Sequence, residues 1–499
     1  MGKSGEIIGH WVNNQVWGGE SRSRGDIFDP ATGKISRPVA LADKADVSTV
    51  VAAAAAAFPD WSNTPLGRRA RVLFAFREIA ERNSDDLAQI ISAEHGKVVS
   101  DARGEIARGM EVVEFACGIP HLLAGRYSEQ VSTNTDVHSI RQALGVCVGI
   151  TPFNFPVMVP MWMWPVAIAC GNTFVLKPSD RDPSASMLVA QWLADAGLPD
   201  GVFNVVNGDK ETVNALIDHP DVRAVSFVGS TPVARSIYSQ AASNGKRVQA
   251  LGGAKNHMVV LPDANIDTAA DAAVSAGYGS AGERCMAISV VVAVGNIADD
   301  LVAAIRTRTE ALTIGAGTDP QAEMGPLITS AHRDRVCALV ESGLAEGAKL
   351  VVDGRALVKP EGGFFLGPCL FDEVTPSMSI YQEEIFGPVL CVVRVEPYEQ
   401  ATDLISKNPY ANGAAIFTAD GGAARRFERE VDAGMVGINV AIPVPMAYYS
   451  FGGWKQSLFG DTHVHGPEGV HFYTRGKVVT SQWADPAERG PNLGFPTNQ

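Results

Sequence analysis

The chain has 499 residues, of which 46% are hydrophobic and 19% are charged, so it is long enough to build two or three hydrophobic cores. Its 55 acidic and 41 basic residues give a formal charge of −14 at pH 7. Because no cluster of Lys or Arg stands out against this negative balance, the composition argues against nucleic acid or an anionic membrane surface as the main partner.

The cysteines and the apolar segments bear on the compartment of the protein. Seven cysteines are scattered along the chain without a Cys-x-x-Cys pair, which predicts a reducing compartment and no disulfide framework. Residues 1–6 contain neither a hydrophobic signal core nor the Ser or Thr of a myristoylation signal. The apolar stretch 155–170 is short and is interrupted by three prolines. We therefore expect a soluble, cytoplasmic protein.

The first elements along the chain are predicted to be helices. Residues 43–58 begin with acidic side chains and continue with an alanine-rich body, and we expect Pro59 to end this helix. Residues 66–83 carry apolar side chains at helical spacing with arginines on the other face, and Ser84 supplies the start of a third helix.

From residue 145 onward, short apolar runs alternate with helical segments. The first runs, each bounded by Gly or Pro, span 145–150, 173–176, 201–206 and 224–228, with helices between them at 184–196 and 211–218. After Gly253 the pattern restarts with a strand at 257–261, a helix at 267–276 and a strand at 288–294. This alternation predicts an α/β fold in which parallel, twisted sheets carry helices on both faces, that is, two doubly wound units.

Three segments do not follow this alternation of strands and helices. Residues 127–143 and 469–480 are mostly polar with scattered apolar side chains. The tail, residues 485–499, is rich in Pro, Gly and Asn, and we expect it to be loosely ordered.

Cys285 is a candidate nucleophile. It lies in the segment Gly-Glu-Arg-Cys-Met over 282–286, where a neighbouring guanidinium favours the thiolate and the small residues leave room for a substrate. The alternative is a buried structural cysteine, which is the commoner role of a lone cysteine.

Two further segments decide between these readings. They are Thr-Pro-Phe-Asn-Phe-Pro over 151–156 and Glu-Glu-Ile-Phe-Gly-Pro-Val over 383–389. Together with the cysteine segment, and in this order, they resemble the aldehyde dehydrogenase superfamily from about residue 10 to about residue 480. The resemblance implies an aldehyde dehydrogenase-like fold that forms a dimer or tetramer. Its implied parts are an NAD-binding domain (1–126 and 144–252), a catalytic domain (253–460) and a β-arm for oligomerisation (127–143 and 469–482).

The dinucleotide site has two candidate positions in the sequence. The Gly-x-Gly-x-x-Gly at 277–282 has a predicted helix before it and a strand after it, the reverse of what a dinucleotide fingerprint requires. A better candidate is the strand 224–228 followed by Gly229 and Ser230, since the free N–H groups of a helix starting near Pro232 would accept a phosphate. An ordinary helix N-cap is the alternative.

The family resemblance implies further cofactor contacts. Lys177 and Asp180 would hold the adenosine ribose, and a carboxylate at Asp180 repels a 2′-phosphate and so favours NAD over NADP, although Arg181 would partly neutralise that repulsion. Glu384 matches the residue that holds the nicotinamide ribose. The other implied contacts are Thr151, Phe153, Gly252 and Phe386.

The resemblance also implies a reaction. Cys285 attacks the aldehyde, and the resulting oxyanion binds the Asn154 side-chain amide and the Cys285 backbone N–H. Loss of hydride to NAD leaves a thioester on the cysteine. Hydrolytic relatives carry a glutamate base at the position of Ala250, and alanine cannot take a proton. The thioester is therefore expected to pass to the thiol of coenzyme A (CoA).

The segments Gly-Ala-Lys-Asn-His over 253–257 and Gly-Glu-Arg-Cys-Met-Ala over 282–287 resemble the CoA-acylating branch that acts on methylmalonate semialdehyde. Arg108 and Arg284 match the positions that bind the substrate carboxylate in this branch. The thioester lies β to that carboxylate, so loss of CO2 would lead to propionyl-CoA, or to acetyl-CoA from malonate semialdehyde.

Two other functions are alternatives to this one. A hydrolytic aldehyde dehydrogenase that forms a free acid is the main alternative, and Ala250 argues against it. A non-catalytic NAD-binding scaffold is the second, and the presence of Asn154, Cys285 and Glu384 argues against it. His463 and His465 form the only close histidine pair, which we interpret as a surface loop, so we expect no metal site.

Overall fold

The structure, a computed structural model, describes residues 6–356 and 362–483. The tail 485–499, which we expect to be loosely ordered, lies outside the described residues. Two large sheets, each with helices packed against it, make up most of the described chain, in agreement with the predicted α/β fold.

The first sheet has eight strands and a parallel centre. In spatial order the strands are Gln15–Trp17, His10–Val12, Phe203–Val205, Thr173–Lys177, Val146–Ile150, Val222–Val228, Arg247–Leu251 and Leu458–Phe459. The five central strands, from Phe203–Val205 to Arg247–Leu251, are parallel. The chain order reverses between Val146–Ile150 and Val222–Val228, which creates the crevice where open α/β sheets bind ligands.

The second sheet has seven strands. In spatial order they are Lys349–Val352, Cys369–Asp372, Val389–Val395, Ile288–Val294, Asn256–Val260, Gly413–Phe417 and Met435–Ile438. All neighbours are parallel except the first pair. Ile288–Val294 agrees residue for residue with its predicted span, because a fully buried parallel strand is a continuous apolar run bounded by polar or small residues.

Helices cover both sheets. Those of the N-terminal half are Lys44–Asn63, Leu66–Arg82, Ser84–His95, Val99–Cys117, Ile119–Leu122, Met158–Met161, Trp164–Ala169, Ser184–Asp195, Lys210–Asp218 and Thr231–Ser243. Those of the C-terminal half are Ile266–Tyr278, Ala298–Ala311, Ser330–Ala345, Ser379–Gln382, Tyr398–Lys407, Gly421–Glu430 and Gly466–Phe472, with 3₁₀ turns at Gly279–Gly282, Gly295–Ile297 and Gly354–Ala356.

The predicted end of the first helix at Pro59 is wrong. Proline removes one helical hydrogen bond, yet the helix continues to Asn63. Its last turn is held by a tertiary contact, since the buried Trp61 donates its indole N–H to the carbonyl of Ile168 at 3.0 Å.

Three long strands form a separate antiparallel sheet, in the order Thr474–Gln482, Thr135–Ala143 and Tyr127–Ser132. The predicted arm segment 469–482 differs at its start, because residues up to Phe472 belong to the helix Gly466–Phe472. Two short ribbons, Arg24–Asp29 with Lys34–Ala40 and Tyr410–Ala411 with Trp454–Lys455, complete the sheets.

The apolar stretch 155–170 forms two short buried helices, Met158–Met161 and Trp164–Ala169. Within residues 6–356 and 362–483, no helix is long and apolar enough to cross a membrane. The surface-loop interpretation of the histidine pair is wrong for His465, which is buried and packs its ring against Trp162. Burial lowers the pKa of His465 to about 4.

Candidate active site

The candidate site lies where the two sheets meet. The carboxyl ends of the first sheet lead into most of the predicted cofactor residues, namely Thr151, Phe153, Asn154, Lys177, Asp180, Arg181, Gly229, Ser230 and Gly252. Cys285 and Phe386 instead precede strands of the second sheet, Ile288–Val294 and Val389–Val395. The site is therefore built from the carboxyl ends of one sheet and the amino ends of the other.

Cys285 opens onto a small cavity shared with several other predicted site residues. Its lining includes Cys285, Arg284, Glu384 and Phe386. Gly282 turns the chain in the left-handed region, with φ of +72°, and any side chain there would collide with the backbone carbonyl of Gly387. Gly282 thus allows close packing near the thiol, and the helix Ile266–Tyr278 before this segment and the strand Ile288–Val294 after it agree with the predicted element order.

The surroundings of the Cys285 thiol favour its protonated form. Burial, reinforced by the nearby Glu384 carboxylate, raises its pKa to about 12, and the Arg284 guanidinium offsets this only slightly. The neighbouring cation acts in the expected direction, toward the thiolate, but the effect of burial is larger. Arg284 is also paired with Asp101, which lies 183 positions earlier in the sequence and offsets part of its charge.

The Asn154 side chain reaches across from the first sheet to the nucleophile segment. Its Nδ2 donates to the backbone carbonyl of Glu283 at 3.0 Å, two residues before Cys285. On the other side of that segment, the Asn256 amide donates to the carbonyl of Cys285 at 2.9 Å. These two amides fix the backbone around the thiol, and one N–H of Asn154 stays available for another acceptor.

A buried ion pair supports the Asn154 loop, and the sequence analysis missed it. Lys97 and Glu105 are fully buried, with Nζ and Oε2 2.8 Å apart. Lys97 Nζ also donates to the backbone carbonyl of Asn154 at 2.7 Å. In the sequence, Lys97 is an isolated cation that follows a predicted helix. The one signal of a pair is that Lys97 precedes the helix Val99–Cys117 and Glu105 lies within it.

Arg284 and Arg108, the two predicted carboxylate-binding residues, have different surroundings. Arg284 lines the cavity, binds Asp101 through one edge at 2.6 Å, and leaves its buried Nε without a hydrogen-bond partner among the described residues. Arg108 pairs with Glu111 at 2.8 Å and donates to backbone carbonyls of a loop at 444–445. Of these two arginines, Arg284 lines the cavity of Cys285 and Arg108 is not among its described lining residues.

Glu384 lines the cavity and contacts the segment 252–255, which joins the first sheet to the second. Its Oε1 accepts the backbone N–H of Ala254 at 2.9 Å. Its carboxylate also packs against Gly253, the neighbour of Gly252, and a side chain at Gly253 would collide with this carboxylate. Burial raises the pKa of Glu384 to about 7. This carboxylate therefore ionises near neutral pH beside the protonated thiol.

The remaining predicted cofactor residues lie along the crevice of the first sheet. Phe153 contacts the Phe386 ring at a centroid distance of 5.9 Å, and the Arg181 guanidinium lies 5.3 Å from the Phe153 ring. Lys177 is buried and ends the strand Thr173–Lys177, and Asp180 is half-buried in the turn that follows this strand. Burial lowers the pKa of Lys177, an effect that nearby Asp180 opposes.

The segment at Gly229 and Ser230 has the predicted strand–turn–helix context. Val222–Val228 ends there and the helix Thr231–Ser243 begins, with Pro232 as its second residue. The Ser230 side chain makes no cap hydrogen bond, so it does not occupy the N–H groups of the first turn. This arrangement leaves the helix start open to an anion.

Ala250, where a hydrolytic base would be expected, is fully buried in the strand Arg247–Leu251. Its methyl group belongs to an apolar cluster with Phe227, Ala234 and Ile237. In the described chain, Glu384 is the one carboxylate that lines the cavity of Cys285.

The aldehyde dehydrogenase family profile matches residues 17–479. The chain therefore belongs to the aldehyde dehydrogenase family, which confirms the resemblance and the predicted fold.

Among its relatives, malonate-semialdehyde dehydrogenase of Pseudomonas aeruginosa is 54% identical over 98% of this chain and 99% of that protein. The acylating, mitochondrial methylmalonate-semialdehyde dehydrogenase of Arabidopsis thaliana is 49% identical over 99% of this chain and 80% of that protein. The crystal structure of methylmalonate-semialdehyde dehydrogenase from Oceanimonas doudoroffii has a TM-score of 0.95 at 53% identity, covering 96% of this chain and 99% of that one. A Sinorhizobium meliloti protein described as a methylmalonate-semialdehyde dehydrogenase, complexed with NAD, has a TM-score of 0.96 at 52% identity over 97% and 99% of the two chains.

Proposed function

We propose that this protein is an NAD-dependent, CoA-acylating semialdehyde dehydrogenase. It oxidises malonate or methylmalonate semialdehyde through a thioester on Cys285 and transfers the decarboxylated acyl group to CoA. The observation that carries the proposal is the cavity lined by both Cys285 and Arg284, because a cation that can bind a carboxylate shares this cavity with the nucleophile.

The crevice of the first sheet suits a dinucleotide. The open start of Thr231–Ser243 offers N–H groups to a phosphate, and a side chain at Gly229 would collide with the Phe227 ring. We assign Lys177, Asp180 and Arg181 to the adenosine ribose, and Glu384 to the nicotinamide ribose. Thr151, Phe153, Ser230, Gly252 and Phe386 are assigned to the walls of the same site. NAD, when bound, supplies the hydride acceptor of the reaction.

The protein residues provide the nucleophile and the oxyanion donors. The thiol of Cys285 gives its proton to solvent water and its sulfur forms a bond to the aldehyde carbon, while the π electrons of the C=O bond move onto the oxygen as a negative charge. The free N–H of Asn154 and the backbone N–H of Cys285 bind that oxygen. Loss of hydride then leaves a thioester on Cys285.

A substrate that carries a carboxylate accounts for the presence of Arg284 beside the nucleophile segment. We assign the carboxylate to Arg284, and to Arg108 as a second cation. In the thioester, the bond between the α carbon and the carboxylate breaks, CO2 leaves, and the electron pair moves into the thioester carbonyl before the α carbon takes up a proton. The CoA thiol then replaces Cys285 on the acyl group, which regenerates the cysteine and forms acetyl-CoA or propionyl-CoA.

Product analysis tests this function. With NAD and methylmalonate semialdehyde but no CoA, NADH should appear as a burst no larger than the enzyme concentration, because Ala250 provides no base for water. Addition of CoA should start steady turnover to propionyl-CoA and CO2. Rapid steady formation of free acid without CoA would instead support the hydrolytic alternative.

Assembly and location complete the proposal. The three-stranded sheet exposes large apolar side chains, and we assign it to contacts between copies of the chain in a dimer or tetramer; these side chains are Tyr127, Val131, Ile140 and Val478. The free cysteines fit a reducing compartment such as the cytoplasm.

A further inference from the structure

The Lys97–Glu105 pair lies outside the reacting groups, yet it holds the loop that carries Asn154. Lys97 Nζ contacts three groups at once: Glu105 Oε2 at 2.8 Å, the carbonyl of Asn154 at 2.7 Å, and the face of the Phe155 ring at 4.2 Å. An ammonium has three donor hydrogens, and two of them are used by oxygens in fixed positions.

Glu105 holds the far end of the same loop. Its second oxygen, Oε1, accepts the backbone N–H groups of Val157 and Met158 at 2.8 and 3.1 Å. The ion pair is therefore hydrogen-bonded to both ends of the segment 154–158, through Lys97 at Asn154 and through Glu105 at Val157 and Met158. Burial raises the pKa of Glu105, while Lys97 and the two N–H groups oppose that shift.

The backbone of Lys97 is itself anchored. Its N–H donates to His95 Nδ1 at 3.2 Å, and its carbonyl accepts the Ser92 hydroxyl at 2.7 Å. A side chain at Gly317 would collide with the Lys97 carbonyl, so a second loop packs closely over it. The ammonium thus projects from a fixed point in the interior.

We infer that Lys97 is a positioning residue that sets the location of the Asn154 amide relative to Cys285, with Glu105 as its counter-charge. This inference rests on the proposed role of Asn154 as oxyanion donor. Without the ammonium, the carbonyl of Asn154 has no buried donor, and the loop relaxes away from the Glu283 carbonyl to which Asn154 Nδ2 is bonded. A displacement of about 1 Å at such a donor costs on the order of 10²-fold in rate.

The test separates positioning from stability. Lys97→Met keeps the length of the side chain and removes the donor, but it leaves Glu105 buried without its counter-charge. The double variant Lys97→Met/Glu105→Gln removes both charges, and replacing a buried ion pair by neutral groups is often neutral for stability. Arg394→Leu is the matched control, because it removes the partner of the buried Asp372 in the second sheet, away from the Asn154 loop.

In the single variant, kcat and the pre-steady-state NADH burst rate should fall by on the order of 10²-fold, with an unchanged Kd for NAD. The double variant should recover its melting temperature (Tm) but not its kcat, whereas Arg394→Leu should lower Tm and keep kcat. Recovery of both Tm and kcat in the double variant would overturn the inference.

Asn154→Ala distinguishes this inference from the proposed function. If Asn154→Ala keeps a wild-type kcat, the oxyanion assignment fails. If Asn154→Ala loses about 10²–10³-fold while Lys97→Met stays at the wild-type kcat, the inference about Lys97 fails and the oxyanion assignment stands.

Discussion

Replacing Arg284 by leucine should reduce activity on carboxylated aldehydes selectively. A charge-assisted hydrogen bond to a carboxylate contributes about 1.5–3 kcal/mol, which corresponds to about 10- to 150-fold in kcat/KM. The contacts of Arg284 place the expected loss in kcat/KM at the upper end of this range. Asp101 binds Nη2 of Arg284 at 2.6 Å, and in the variant it is left as an unpaired negative charge near the incoming carboxylate.

A substitution at Gly279 provides a second test, because it displaces the Arg284 guanidinium without removing its charge. Nη1 of Arg284 lies 2.5 Å from the position that a Cβ on Gly279 would occupy, so Gly279→Ala forces the guanidinium to move. The φ of Gly279 is −53°, which alanine adopts without strain. Gly279→Ala should therefore raise KM for the carboxylated substrate in the same direction as Arg284→Leu.

The assay compares methylmalonate semialdehyde with propanal, which lacks the carboxylate, at saturating NAD and CoA. In Arg284→Leu, kcat/KM for the semialdehyde should fall by about 10²-fold, and kcat/KM for propanal should change by less than about threefold. The double variant Arg284→Leu/Asp101→Asn should recover part of the loss. Equal losses on both substrates would refute the reasoning, since they would mean that Arg284 acts on the thiol or on the fold.

Three further predictions concern the thiol and its neighbours. Cys285→Ala should abolish NADH formation and leave the Kd for NAD unchanged, measured by fluorescence titration; residual turnover would contradict the nucleophile assignment. Ala250→Glu should introduce acid formation without CoA and also lower Tm, because the methyl group is fully buried, and product analysis with thermal unfolding checks both effects. Burial raises the pKa of Glu384 to about 7, so this group becomes an ionised acceptor for ribose hydroxyls as the pH rises through 7. The Kd for NAD should therefore fall between pH 6 and 8, and a flat profile in wild type, or an unchanged profile in Glu384→Gln, would contradict the ribose assignment.

The elements that follow local patterns could be predicted from the sequence. Ile288–Val294 is a buried apolar run with clear ends, and the Gly229–Ser230 turn is marked by the strand before it and by Pro232 after it. Pro59 misled the prediction, because the last helical turn is held by Trp61, whose partner is more than a hundred residues away.

The electrostatics of the site could not be predicted in the same way. A cation next to a cysteine in sequence favours a thiolate, but burial has the larger effect on the Cys285 thiol. Arg284 pairs with Asp101, 183 positions earlier, and Lys97 donates to the backbone carbonyl of Asn154, 57 positions later. Such pairs leave no periodic signal, and one sequence does not show which charges the fold buries.

The protonated state of the nucleophile has a consequence for resistance to oxidants. Peroxide reacts with thiolates rather than thiols, and a pKa of about 12 leaves Cys285 almost entirely as the thiol at neutral pH. Burial also raises the pKa of five other cysteines, namely Cys117, Cys147, Cys170, Cys369 and Cys391. At neutral pH, peroxide should therefore convert these six cysteines to sulfenic acid only slowly.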